Sequence, residues 1–393
     1  MTHKATTSLL LTILLLFFHS NGFSQWQTYQ SGIPDDLKTM HFTDCSTGWV
    51  AGKRGYMRKT TDSGVNWTTL NTGTTKTINK VFFIDAATGW FVGKDGIIKK
   101  TTDGGTNWTT QTSGTSHELN AVYFVDSNTG FVVGDDGIVL KTTDGGSTWA
   151  VSSYTYGEEL SAVILLSATT AYISGKEGIL LKTTDGGANW TLINTNSEET
   201  LESLAYSNGF ILACSKEGQV TRVSSSDVVT HIQSGTSKDL NAIHFIHGTQ
   251  VGWVVGEEGR AYYSVNGGTS WTVKNISTSS ELIAVQFLTT TCGYAADEDG
   301  RVYRFSGGTV SVDEATAENV VLYPNPVTDR LFIQNSSNLE SITIYSTTGQ
   351  LIQTISVSGN NLIEADLSEL KSGTYLIHLK TASGTSIQNI VKQ

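Results

Sequence analysis

Five acidic residues fall at one repeated position of the chain: Asp36, Glu118, Glu159, Asp239 and Glu281. Thr77 and Thr200 hold that position in two further repeats, the latter beside Glu198 and Glu199. A ring of carboxylates around one opening focuses field there, which suits a divalent cation, a basic peptide or an amine-bearing ligand. The plainer reading is a solvated polar turn that keeps the surface soluble. Arg54, Arg260 and Arg301 flank a recurring glycine and, with Arg58 and Arg304, belong to repeats six, seven and one, which become neighbours in a closed ring. Clustered guanidinium groups recognise carboxylates or phosphates through paired donors. Here the competing use is local pairing with Glu257, Glu258, Glu298 and Asp299. Tyr154 and Tyr156 adjoin Glu158 and Glu159, a combination found at sugar and peptide contacts.

Other chemistries find little support. His41, His117, His244 and His247 show no metal spacing, and no serine or cysteine nucleophile motif accompanies them. No cofactor and no metal are expected. Three cysteines, Cys45, Cys214 and Cys292, offer no C-x-x-C pair. Cys45 and Cys292 lie near corresponding turns of the first and last repeats, and whether they pair is left open. A net charge of -11 speaks against nucleic acid or an anionic membrane, whose binding needs clustered lysine and arginine.

The elements that position these residues follow from a period near 41. Gly55, Gly96, Gly137, Gly178, Gly218, Gly259 and Gly300 are spaced by 41, 41, 41, 40, 41 and 41 residues. Within the third repeat, LNAVYFVD from Leu119, GFVVGDDG from Gly130, GIVLKTTDGG from Gly137 and a segment opening at Trp149 read as four short strands, A to D, ended by glycine, aspartate or asparagine turns. Four strands in about 40 residues describe a propeller blade. The fold class expected is all-β: a seven-bladed propeller over residues 25–308. The D strands open at Trp67, Trp108, Trp149, Trp190 and Trp271, while the seventh repeat ends without a tryptophan. The strand near Trp26 to Gln30 is therefore expected to complete the seventh blade and remove the open edge.

The chain ends are informative. Lys4, the apolar run Leu9 to Phe18 broken only by Thr12, then Gly22 and Ser24, read as a signal peptide over residues 1–24. The run is too short to cross a bilayer. Residues 309–319 read as a linker. Beyond it, segments of alternating polarity separated by glycine turns are expected to make a small immunoglobulin-like sandwich over 320–393.

Four repeats carry TTDxGxxW, with Asp62, Asp103, Asp144 and Asp185; the sixth keeps Asn266-Gly267-Gly268 and Trp271, and the fifth has lost the motif. This resembles the Asp-box of bacterial neuraminidase repeats, which implies a folding element at the blade periphery remote from catalysis. The fuller pattern, L-x-A-V-x-F, then G-W-x-V-G-x-x-G, then TTDGGxxW, resembles the photosystem II stability and assembly factor family, a seven-bladed propeller that acts as a binding scaffold. The order Tyr323-Pro324-Asn325-Pro326, Asp329-x-Leu331, Tyr345-x-x-x-Gly349-Gln350 and Leu370-x-x-Gly373-x-Tyr375 is similar to the type A sorting domain of the type IX (Por) secretion system. It implies periplasmic transit, engagement of that secretion machinery, and delivery outside the cell or to the outer-membrane surface.

The expectation is a monomeric, non-enzymatic binding or scaffold protein that recognises a protein or glycan on one propeller face. The alternative is a glycoside hydrolase of sialidase or xyloglucanase type, because Asp-box propellers also host those activities. Such an enzyme needs two carboxylates about 5–10 Å apart. The arginine-isoleucine-proline motif of sialidases is absent, and the resemblance to them would imply six blades.

Overall fold

The computed structural model describes residues 26–305, except 35 and 153–156, and residues 321–393, except 324–325, 335–338, 347–350, 356, 358–361 and 382–383. The expected signal peptide, the linker, Tyr154 and Tyr156 lie outside the described residues.

Seven antiparallel four-stranded sheets form the propeller. In the second blade, strand A is Ile78–Phe83, B is Gly89–Gly93, C is Ile98–Thr101 and D is Thr109–Gln111. B is buried at every position, as expected of a strand covered on both faces. Each A strand is bulged near its start, as between Ile78 and Lys80. Trp67, Trp108, Trp149, Trp190 and Trp271 each sit one residue before their D strand rather than within it.

The core lies between blades. Trp90, Val92 and Ile98 of the second blade pack with Leu119, Val122, Phe124, Val132 and Leu140 of the third. The glycine that opens strand B makes room for the last aromatic of strand A: a Cβ on Gly89 would meet the Phe83 ring at 2.4 Å. The following tryptophan stacks on the next blade, Trp49 on Phe83 and Trp90 on Phe124, both at 3.6 Å.

Closure follows the sequence expectation. Trp26–Gln30 pairs antiparallel with Arg301–Phe305, outermost in the sheet that also holds Cys292–Asp297 and Leu282–Thr289. Trp26 is buried against Trp253, Phe287 and Phe305. A disulfide joins Cys45 to Cys292 across the same seam, with Cα atoms 6.0 Å apart. That settles the pairing the sequence left open, and Cys214 remains a buried thiol.

The C-terminal unit is a two-sheet β-sandwich. Val321–Tyr323, Arg330–Gln334 and Leu362–Asp366 form one sheet; Leu339–Ser346, Leu351–Ile355, Gly373–Thr381 and Gly384–Lys392 form the other. Leu331, Ile333, Ile342, Ile344, Ile377 and Leu379 build its core. Among the described residues no helix is long and apolar enough to cross a membrane.

Candidate functional site

A single 3-10 turn links B to C in six blades, and its first amide bonds to the carbonyl just before strand A in five of them, for example Lys53 to Asp36 and Asp135 to Glu118. The seventh blade repeats the bond from Glu298 to Glu281. These bonds hold the B–C turns and the D–A connections together on one end of the ring. The five ring carboxylates, Asp36, Glu118, Glu159, Asp239 and Glu281, all stand on this turn face.

Their surroundings differ from blade to blade. Asp36 is ion-paired with Lys53, which holds its carboxyl below the usual range. Glu159 pairs with Lys176 at 2.5 Å. Glu118 accepts from Asn79 Nδ2 at 2.8 Å and Glu281 from Asn241 Nδ2 at 2.9 Å; each asparagine also donates to the first carbonyl of the next A strand. Asp239 accepts the Glu217 amide at 3.2 Å. Burial, then Glu298 and Glu257 nearby, push the Glu281 carboxyl upward. The turn position holds Lys53, Lys94, Lys176 and Lys216 in blades one, two, four and five, Asp135 in the third, and Glu257 and Glu298 in the sixth and seventh.

A second acidic ring escaped the sequence reading. The residue before the repeat glycine is Arg54 in the first blade but Asp95, Asp136, Glu177, Glu217, Glu258 and Asp299 in the others. All but Asp299 adopt positive φ, the strained left-handed conformation, at the turn tip. The signal was present as an acid preceding the glycine in six of seven repeats.

The arginines serve mainly their own neighbourhood. Arg301 Nη1 bonds the fully buried Asp297 at 3.0 Å, Asp299 at 3.2 Å and Ser280 Oγ at 2.9 Å, and Asp297 also accepts from Tyr303 Oη at 2.6 Å. Arg260 pairs loosely with Glu258 at 3.7 Å. Arg54 occupies its turn tip, whereas Arg58 and Arg304 lie within C strands facing Thr69 and Gln27 in register.

The Asp-box lies at the opposite end. Asp103 accepts the Asn107 amide at 2.9 Å and its side chain at 2.8 Å, while Thr101 Oγ1 donates to Asp103 and accepts the Gly105 amide. The aspartate takes the amide four residues on and draws also on the one three residues on, while the threonine hydroxyl takes the amide two residues on. Asp62, Asp144 and Asp185 repeat the pattern. Hydrogen bonds to neighbouring residues hold Asp103, Asp144 and Asp185 down to about 2. Gly104 and Gly145 of these turns accept indole N–H bonds from Trp49 and Trp90 of the preceding blade at 3.1 Å, so the box joins blades.

The A strands enclose a central channel with a cavity of about 370 Å3. Lys38, Asn79, Asn120, Ser161, Glu202, Asn241 and Ile283 line it next to the turn face; His41, Phe82, Tyr123, Ile164, His244 and Gln286 line it farther in. Burial, followed by the nearby charges of Glu159, Asp239 and Glu281, raises the Glu202 carboxyl, although Lys216 opposes the shift. Among the described residues no three histidine, cysteine or acidic side chains are grouped to hold a metal ion.

Residues 19–115 and 108–203 match the family described as photosynthesis system II assembly factor YCF48, and residues 321–393 match the secretion system C-terminal sorting domain. No curated protein matches the chain in sequence. A structure of YCF48 bound to D1 peptide superposes with a TM-score of 0.62 at 18% identity, over 73% of this chain and 98% of that one. Virginiamycin B lyase from Staphylococcus aureus reaches 0.63 at 13% identity, over 72% and 99%. PorZ, a surface component of the type IX secretion system of Porphyromonas gingivalis, reaches 0.54 at 13% identity, covering 91% of this chain and 59% of PorZ. At these identities the likeness is one of fold.

Proposed function

We propose, from the premise that this chain joins a propeller of photosystem II assembly factor type to a secretion system C-terminal sorting domain, that it is a non-enzymatic binding scaffold that docks a positively charged protein or glycan on its turn face. The sorting domain addresses it through the type IX route to the cell surface or outer membrane. In this reading residues 1–24 are the signal peptide, 25–308 the binding unit, 309–319 a linker and 320–393 the export unit.

The observation that carries the reading is the crowding of carboxylates on blades six and seven. Glu281 is disfavoured in its charged form by burial and by Glu298 and Glu257, so an arriving cation relieves both repulsion and desolvation. Asp239, Glu258 and Asp299 extend the acidic sector, and the ion pairs of Arg260 and Arg301 shape its rim. A rigid scaffold presenting variable turns suits recognition. The YCF48 complex with D1 peptide offers a precedent for a propeller of this fold holding a peptide.

The test measures full chain binding to oligolysine and to a chitosan oligosaccharide by surface plasmon resonance at two salt concentrations. Expected is salt-sensitive binding that Glu257→Lys/Glu298→Lys abolishes and Glu369→Lys, on the sorting domain, preserves. Equal binding by all three proteins, or none, sinks the reading. Hydrolysis of xyloglucan or a sialoside that disappears in Glu281→Gln would instead establish the glycosidase alternative.

A further inference from the structure

Lys80 is an ammonium group without a counter-ion. It lines the central channel, exposed to the water within it yet walled by strands, and burial alone depresses its pKa; no carboxylate acts on it. Among the described residues it makes no hydrogen bond or ion pair, and Glu202, the one carboxylate lining the channel, is influenced by Lys216 and the turn-face acids instead. A charge walled in by strands yet open to the channel focuses its field there and attracts an opposite charge from solvent.

Two histidines of the channel lie within electrostatic reach of that ammonium. His41 Nε2 donates to the Phe83 carbonyl at 2.8 Å, which leaves Nδ1 open. His244 Nδ1 accepts the Phe287 amide at 3.3 Å, which puts the proton on Nε2 and leaves that N–H open. Both are lowered to about 4, first by burial and then by the positive charges around them, Lys80 in each case. The Tyr123 hydroxyl lines the same space and has no protein partner among the described residues.

We propose that the channel binds an oxyanion, a carboxylate or phosphate carried by a small molecule, at Lys80, His41, His244 and Tyr123. Lys80 supplies the charge, His244 Nε2–H and the Tyr123 hydroxyl donate, and His41 joins as a donor when it gains a proton at Nδ1. A cavity of about 370 Å3 is at the small end of the range for small-molecule pockets. The titratable groups lining the channel are Lys38 and His41 on the first A strand, Lys80 on the second, Tyr123 on the third, Glu202 on the fifth and His244 on the sixth; the fourth and seventh contribute none. Lys38 acts on Glu281 at the acidic mouth, so it belongs to the other pole. Anion binding therefore draws a proton onto His41 Nδ1 and tightens as pH falls. The site is separate from the turn face and does not depend on that face having a partner.

The experiment is calorimetric titration of the full chain with glucuronate and with inorganic phosphate, using glucose as the neutral control, at pH 5 and pH 8. Expected is binding of at least one anion and none of glucose, about tenfold tighter at the lower pH. Lys80→Met is expected to weaken it by about tenfold or more, the loss of a charge-assisted bond, while Lys38→Met leaves it intact. His41→Gln is expected to flatten the pH dependence. The melting temperature of Lys80→Met should equal or exceed that of the wild type without anion, and should not rise when anion is added. Phosphate binding without glucuronate binding identifies a phosphate site, and the reverse a carboxylate site. Failure of both anions to bind at about 10 mM, far weaker than useful affinity, or unchanged binding by folded Lys80→Met, overturns the proposal.

Discussion

At the scale of single residues, the Asp-box shows geometry outweighing charge. In the sixth blade Asn266 replaces the aspartate, and Ser264 Oγ, the Gly268 amide and the Ser270 amide reproduce the bonding pattern. Asp103→Asn is therefore expected to melt close to wild type, and Asp103→Ala clearly lower, in a thermal scan at neutral pH. Acid acts through two sets of groups. His41 and His244 titrate near 4 in the folded state and near 6.5 unfolded, so the unfolded chain binds the extra protons and stability falls as pH drops from about 6.5 to 4. Asp103, Asp144 and Asp185 have folded values of about 2 against an ordinary 3.8, so their contribution is present above about 4 and disappears on the way down to 2. A melting series across this range should show two successive declines; a flat response above pH 4 would contradict the assignment of the histidines. Gly89→Ala, which drives a methyl group into the Phe83 ring, is expected to cost about 1–3 kcal/mol in urea unfolding.

At the scale of elements, the strands were legible because one period governs them all. Apolar alternation, the G-W opening of strand B and the tryptophan missing from the seventh repeat together placed Trp26 to Gln30 in the last blade, and the pairing of Trp26 with Phe305 agrees. Other features follow no period. The partner of Cys45 depended on where two turns met in space. His41 and His244 share the fifth place of their A strands in blades one and six, but Lys80 is third in the A strand of blade two, so only the closed ring brings the three to a common channel. The asparagines that bridge neighbouring A strands were visible as Leu-Asn or Ile-Asn pairs at Asn79, Asn120 and Asn241, but their acceptors were not. Cys45→Ser/Cys292→Ser is expected to lose about 2–4 kcal/mol, and Trp26→Ala about 3–5 kcal/mol as a buried aromatic. Because both act at one seam, combining them should depart from additivity; strict additivity in denaturant titrations would show that strand and disulfide secure the ring separately.

For the whole molecule, charge is segregated along the propeller axis. Two acidic rings crown one mouth, and an unpaired ammonium with two histidines lies inside. Composition revealed only the net excess of acid, since a sum of charges carries no positions. The disulfide is consistent with an oxidising compartment, and the sorting domain with export. Removal of residues 321–393 is expected to leave a folded propeller that stays in the periplasm, which fractionation with surface protease digestion would reveal. Surface display of the truncated chain would mean that another segment directs sorting.

The seam also sets an order of events. The outer strand of the seventh blade, Trp26–Gln30, is the earliest propeller segment to leave a ribosome or a translocation pore, and its partner Arg301–Phe305 is the latest. Blades one to six can assemble as they emerge, but the circle cannot shut until almost the whole propeller has passed through. Ring closure therefore waits on the last strand, and Cys45 and Cys292 can be joined only once the first and seventh blades have met.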